Sequence, residues 1–109
     1  MLISITNNYQ IGKVKEYIHN GLMDYRNLNK ELRENPEITL EAVKLDGMNL
    51  QYTSKKNQED ITIVLEAIKE NKNSIEFIPP ELIKNSEIKN YLNLLKNNEK
   101  QLYMIDKRV

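Results

Sequence analysis

The chain has no cysteine, which excludes disulfides, thiolate-built zinc sites and thiol catalysis and is compatible with a reducing compartment. It has no tryptophan and a single phenylalanine, which argues against a platform for stacking nucleic-acid bases. Glycine is scarce, and Gly12, Gly21 and Gly47 stand far apart, so no phosphate-cradling G-x-G-x-x-G or P-loop is present. No serine stands in G-x-S-x-G. No stretch approaches the roughly 18 apolar residues of a membrane span, and Met1 to Thr6 (MLISIT) lacks the basic start and the length of a signal peptide. Charge of one sign is also missing: 16 basic and 16 acidic side chains cancel, which removes the long-range field of a general nucleic-acid or membrane binder. These absences predict a soluble cytoplasmic protein with no membrane partner. A length of 109 residues predicts one domain, 1–109, with a thin core.

What the chain does contain is a repeat. LEAVK, Leu40 to Lys44, returns 25 positions later as LEAIK, Leu65 to Lys69. Extending the match pairs Ile38 with Ile63, Ala42 with Ala67, Leu50 with Ile75 and Tyr52 with Phe77. A further step forward puts Asn85 under Asp60, and a step back puts Gln10 under Asn35 and Tyr25 under Leu50. The chain then reads as a leader, 1–9, and four units, 10–34, 35–59, 60–84 and 85–109, of which the outer two are degenerate.

Asn35, Asp60 and Asn85 each supply a side-chain oxygen for the orphan N–H groups of a helix start, with Pro36 at a favoured first-turn position. Gly47 ends the helix of the second unit and Asn71 to Ser74 that of the third, where left-handed backbone is cheap. A shorter apolar segment follows, Met48 to Tyr52 in one copy and Ile75 to Ile78 in the next, before Pro79 and Pro80 restart the chain as PELIK. The expected fold is therefore all-α, a short array of about four helix–turn–short-helix units. The first and last helices carry one narrow stripe each, Ile11, Val14 and Ile18, and Ile88, Tyr91, Leu92 and Leu95. The third is apolar nearly all round, from Ile61 to Ile68, as a helix between neighbours should be. Ala42 and Ala67 mark a close approach of helices.

These units resemble the repeat of the domain of unknown function 4116 family, through EITLEAVKLDGMNLQY (Glu37 to Tyr52) and the spacing of Gly47, Leu50, Gln51 and Tyr52. The third unit departs from the pattern by placing Lys72 where the second has Gly47, which implies a less sharp corner. The resemblance implies a tandem helical repeat and brings no catalytic residues with it.

Residues capable of chemistry are few. His19, the only histidine, closes the first helix, where an imidazolium meets the negative helix end, and reads as a plain helix-end residue. Glu37 with Glu41 and Glu66 with Glu70 are carboxylate pairs four apart, but no histidine accompanies them in the E-x-x-H sense, and Lys44 and Lys69 make them solvated charge. Tyr25 and Tyr52 occupy repeat positions shared with Leu50 and Phe77 and read as core. Tyr9 and Tyr103 fall outside the strong pattern and read as tyrosines closing the ends of the core, with exposed interface anchors as the alternative. Met1 to Thr6 reads as an edge strand, a packed leader or a self-association surface.

The expected function is non-catalytic: an array that binds another protein, with no catalytic residue, cofactor or metal. An inhibitor or adaptor fits, such as a phage-encoded blocker of a bacterial defence complex, and the abundance of Asn, Lys and Ile matches AT-rich coding. Partner binding is assigned to Tyr103, Lys107 and Arg108. The alternative is an RNA-binding module using the basic ends.

Overall fold

A computed structural model describes residues 7–107, with side chains as far as residue 98. Every regular element among the described residues is helical: α1 Asn8–His19, α2 Lys30–Glu34, α3 Pro36–Leu45, α4 Lys55–Gln58, α5 Ile61–Glu70 and α6 Ser86–Lys107, with 3₁₀ turns at Tyr25–Asn27, Gly47–Tyr52, Lys72–Phe77 and Pro80–Lys84. The expected all-α array is what the chain forms. None of these helices is long and apolar enough to cross a membrane.

The helix starts repeat atom for atom. Asn35 Oδ1 accepts from the N–H groups of Glu37 (3.0 Å) and Ile38 (3.2 Å). Asp60 does the same for Thr62 (2.9 Å) and Ile63 (3.2 Å), and Asn85 for Glu87 (2.9 Å) and Ile88 (3.3 Å). Each cap satisfies donors that the helix itself leaves orphaned, worth about 1 kcal/mol. The first helix departs from the period: its cap is Asn7, whose Oδ1 accepts from Gln10 N–H at 2.8 Å, so α1 begins inside what the repeat spacing assigns to the leader. Its core nevertheless keeps step, because Val14, Ile18 and Tyr25 are buried at the positions of Thr39, Val43 and Leu50.

The corners are made by a different device from the one the glycine suggests. Asp46 and Asn71 end α3 and α5 in extended backbone, φ −150° and ψ 107° against φ −148° and ψ 112°. Each side chain then caps the 3₁₀ turn that follows, Asp46 by accepting from Met48 N–H (3.0 Å) and Asn71 from Asn73 N–H (2.9 Å). The two corners are equally sharp, with or without glycine, and the expectation of a looser third corner is corrected. Gly47 is needed for space: a methyl group there would overlap the carbonyl of Ala67 on α5. That contact is a close approach of the kind which Ala67 announces in the sequence, and Ala42 is fully buried as well. The left-handed glycine is Gly21, at φ 75°. Beside it Gly21 N–H donates to Ile18 O (3.1 Å) and Leu22 N–H to Tyr17 O (2.7 Å), the paired bonds of a Schellman ending.

In the fourth repeat unit no corner forms, and α6 runs unbroken through the position where one was expected. The residue in register with Asp46 and Asn71 is Lys96, which has no acceptor with which to cap a 3₁₀ turn.

The chain divides into two parts between Ile78 and Pro79, a boundary inside the third repeat unit. In the first part α3 lies between α1 and α5. The core joins Ile11, Val14 and Ile18 of α1 to Tyr25, Leu32, Ile38 and Ala42, with Leu28 and Tyr52 packed on its edge. On α5, Ile63, Val64, Ala67 and Ile68 are buried and Ile61 and Leu65 half-buried, the broad apolar coverage expected of a helix with neighbours. In the second part the 3₁₀ turn Pro80–Lys84 packs with α6, on which Ile88 is buried and Tyr91, Leu92 and Leu95 are half-buried.

Candidate functional site

Among the described residues, the exposed large apolar side chains of the first part are Tyr9 and Tyr17 on α1, Leu22 and Met23 just after it, and Leu45 at the end of α3. On a helix turning about 100° per residue, Tyr9 falls opposite the stripe of Ile11, Val14 and Ile18, with Lys13 next to it and Tyr17 on the flank. Tyr9 is 74 % exposed, contrary to its expected place closing the core. The Lys13 ammonium stands 5.9 Å from the Tyr9 ring centroid, a weak exposed cation–π contact, and 3.7 Å from Glu16. The Schellman ending then sets the next two residues: Leu22 and Met23 both donate their N–H to Tyr17 O, and their side chains are 70 % and 38 % exposed. Tyr9, Tyr17, Leu22 and Met23 are therefore exposed on α1 and on the backbone of its ending.

The acidic pairs do something other than solvate the surface. His19 Nδ1 lies 3.0 Å from Glu41 Oε1 and Lys15 Nζ lies 3.9 Å from Glu37, so the glutamates of α3 reach back to α1. Glu70 of α5 reaches back in turn, accepting from Gly47 N–H at 2.7 Å. Glu66 pairs with Lys69 on its own helix at 3.9 Å, as the sequence suggests. His19 sits at the helix end as expected, but Glu41 makes it a link between two repeat units.

A buried polar network lies between the first and second repeat units. The Arg33 carbonyl accepts from the Tyr25 hydroxyl and from Thr53 Oγ1 (2.9 Å), with Thr39 Oγ1 also at 2.9 Å. Asn57 Nδ2 donates to the Glu34 carbonyl (2.9 Å) and to Thr53 Oγ1 (2.9 Å). These side chains satisfy carbonyls that the end of α2 leaves open. Burial raises the Tyr25 phenol above its ordinary pKa of 10.0, against the lowering influence of its hydroxyl partners Thr39 and Thr53 and of the Arg33 charge. In repeat register, Thr39, Thr53 and Asn57 replace Val14, Leu28 and Leu32 of the first unit and Val64, Ile78 and Leu82 of the third. Three apolar positions have turned polar together, and that signal is legible in the sequence once the units are aligned. Tyr25 is 1 % exposed and Tyr52 half-buried on the core edge, as their repeat positions predict.

Of the residues assigned to partner binding, Tyr103 and Lys107 lie on the backbone of α6, beyond the described side chains, and Arg108 lies outside the described residues, as does Met1 to Thr6. Sequence reasoning missed Leu22 and Met23, and it placed Tyr9 inside. The helical wheel of α1 carries the signal for Tyr9; nothing in the pattern around Leu22 marks it as exposed.

Comparison with known proteins adds one match. The model of the family described as Domain of unknown function (DUF4116) covers residues 13–58 and, overlapping, 35–83. No curated protein and no solved structure matches the chain.

Proposed function

The chain belongs to the DUF4116 family, and from its exposed surface we propose that it is a non-catalytic module that binds another protein. The observation that carries the reading is the run from α1 through its ending, where Tyr9, Tyr17, Leu22 and Met23 are exposed and Leu22 and Met23 are tied by backbone hydrogen bonds to Tyr17. Tyrosine offers contact area at small cost in conformational freedom and is enriched among the residues that dominate interface energetics, and methionine is enriched at interface cores. The partner surface is apolar at its centre, with a pocket for Leu22, and polar where it meets Lys13 and Glu16.

Such a protein acts in fixed proportion to its target, as an inhibitor or adaptor does. A photo-crosslinking amino acid placed at position 9 tests this in cells of the native source. A discrete adduct with one protein, unchanged by nuclease and missing when the same group is placed at the inward position 14, supports the reading. Adducts with RNA, or equal adducts from both positions, argue against it.

A further inference from the structure

The helix α6 sorts its charges by face. At about 3.6 residues per turn, Lys89, Lys96, Lys100 and Lys107 fall within about 20° of one line along it, whereas Glu87, Glu99 and Asp106 stand at least about 80° away. These are all the lysines and all the acids of the helix. The line is about 27 Å long.

Beside this line lies a cleft. The 3₁₀ turn Pro80–Lys84 brings Ile83 and Lys84 against the flank of α6, where they line one hollow with Lys89, Leu92, Asn93 and Lys96. Ile83 is 41 % exposed and Leu92 half-buried. No ion pair reaches Lys84, Lys89 or Lys96 among the described residues, whereas Lys13, Lys15, Lys30 and Lys69 each have a glutamate within 3.9 Å. Three unmatched ammonium groups thus surround two aliphatic side chains.

We propose that this cleft takes an acidic amphipathic segment of a partner protein, with carboxylates along the lysine line and an aliphatic side chain between Ile83 and Leu92. The proposal rests on the reading of the protein as a protein-binding module and names the chemistry of a second surface. The aliphatic pair decides between occupants: a phosphate backbone has nothing to place between Ile83 and Leu92, and the cleft is lined by no ring on which a base could stack. A lysine line without arginine meets carboxylates as point charges and steers their approach.

The test is fluorescence anisotropy on the full chain with a labelled helical peptide of about sixteen residues, glutamates on one face and leucines beside them. Expected is saturable binding that weakens at least tenfold when the peptide glutamates become glutamine, when Lys89→Glu and Lys96→Glu are combined, or when Ile83→Ser is introduced. The milder Lys89→Gln/Lys96→Gln pair should weaken it less, and circular dichroism should stay helical throughout. Tyr9→Ser and Leu22→Ser should leave it unchanged, which separates this surface from α1. No binding of the peptide, equal binding to the charge-reversed variant, or tighter binding of an oligouridylate overturns the proposal, and each leaves the α1 cross-linking result standing or falling by itself.

Discussion

The Gly47 N–H donates to Glu70 Oε1 at 2.7 Å, across 23 residues of chain, so the corner of one repeat unit is capped by the next helix. The same glycine leaves no room for a side chain against the Ala67 carbonyl. Sequence and packing meet at this one position: the glycine admits α5, and α5 returns the acceptor.

Gly47→Ala should therefore destabilise the protein by about 1 to 3 kcal/mol, the usual cost of overfilling a packed site. Gly12, in the exposed middle of α1 with open space around its Cα, supplies the contrast. Gly12→Ala should stabilise by about 0.5 to 1 kcal/mol through helix propensity. Urea melts read both, and two effects of the same sign would contradict the assignment.

Ala67→Leu should cost about 1 to 3 kcal/mol, because Ala67 is fully buried beneath Gly47. Lys69→Ala should change stability by less than about 0.5 kcal/mol, since its pair with Glu66 is exposed. Equal melting midpoints for the two variants would remove the buried face of α5 from the account.

Asn57→Leu restores the apolar residue found at that position in the neighbouring units, yet it should destabilise by about 1 to 3 kcal/mol because the Glu34 carbonyl loses its donor. Thr53→Ala should couple to it, with the double variant departing from the sum of the singles by at least about 0.5 kcal/mol. Additive costs in a double-mutant cycle would show that the hydrogen bonds do not act as one network.

Tyr25 makes stability depend on alkaline pH. Its folded pKa lies above the ordinary 10.0, first through burial, so the unfolded chain releases the phenolic proton at lower pH than the folded one. The contribution is fully present below the unfolded pKa and is lost as pH rises through the folded one. Stability should fall above about pH 10 more steeply in the native chain than in Tyr25→Phe. Parallel curves for the two proteins would contradict the burial of the phenol.

Much of this fold is legible in the sequence because helix starts depend on one residue and its immediate followers. Asn35, Asp60 and Asn85 needed only a short side-chain acceptor and free N–H groups beyond it, and all three cap as read. Corners were harder, because an extended Asp46 followed by glycine looks like a left-handed stop, while the reason for the glycine lies 20 residues away at Ala67. The same rule explains the unbroken α6, where Lys96 replaces the short acceptor. For the candidate surface, periodicity told which residues of α1 face inward, but the exposure of Leu22 follows from the hydrogen bonds of the Schellman ending, which fix where the chain turns after it. The network of Thr39, Thr53 and Asn57 was open to reading by comparing units position by position.

The proposed function has the protein occupy a partner surface through α1 and the residues of its ending. Its most direct measurement is a calorimetric titration of the protein cross-linked through position 9, against the native chain and Leu22→Ser, with His19→Ala beside them. The account predicts saturation at a fixed molar ratio, an affinity at least tenfold weaker for Leu22→Ser with an unchanged melting curve, and little change for His19→Ala. Unchanged affinity in Leu22→Ser, or conversion of the target by substoichiometric protein that His19→Ala abolishes, would contradict it.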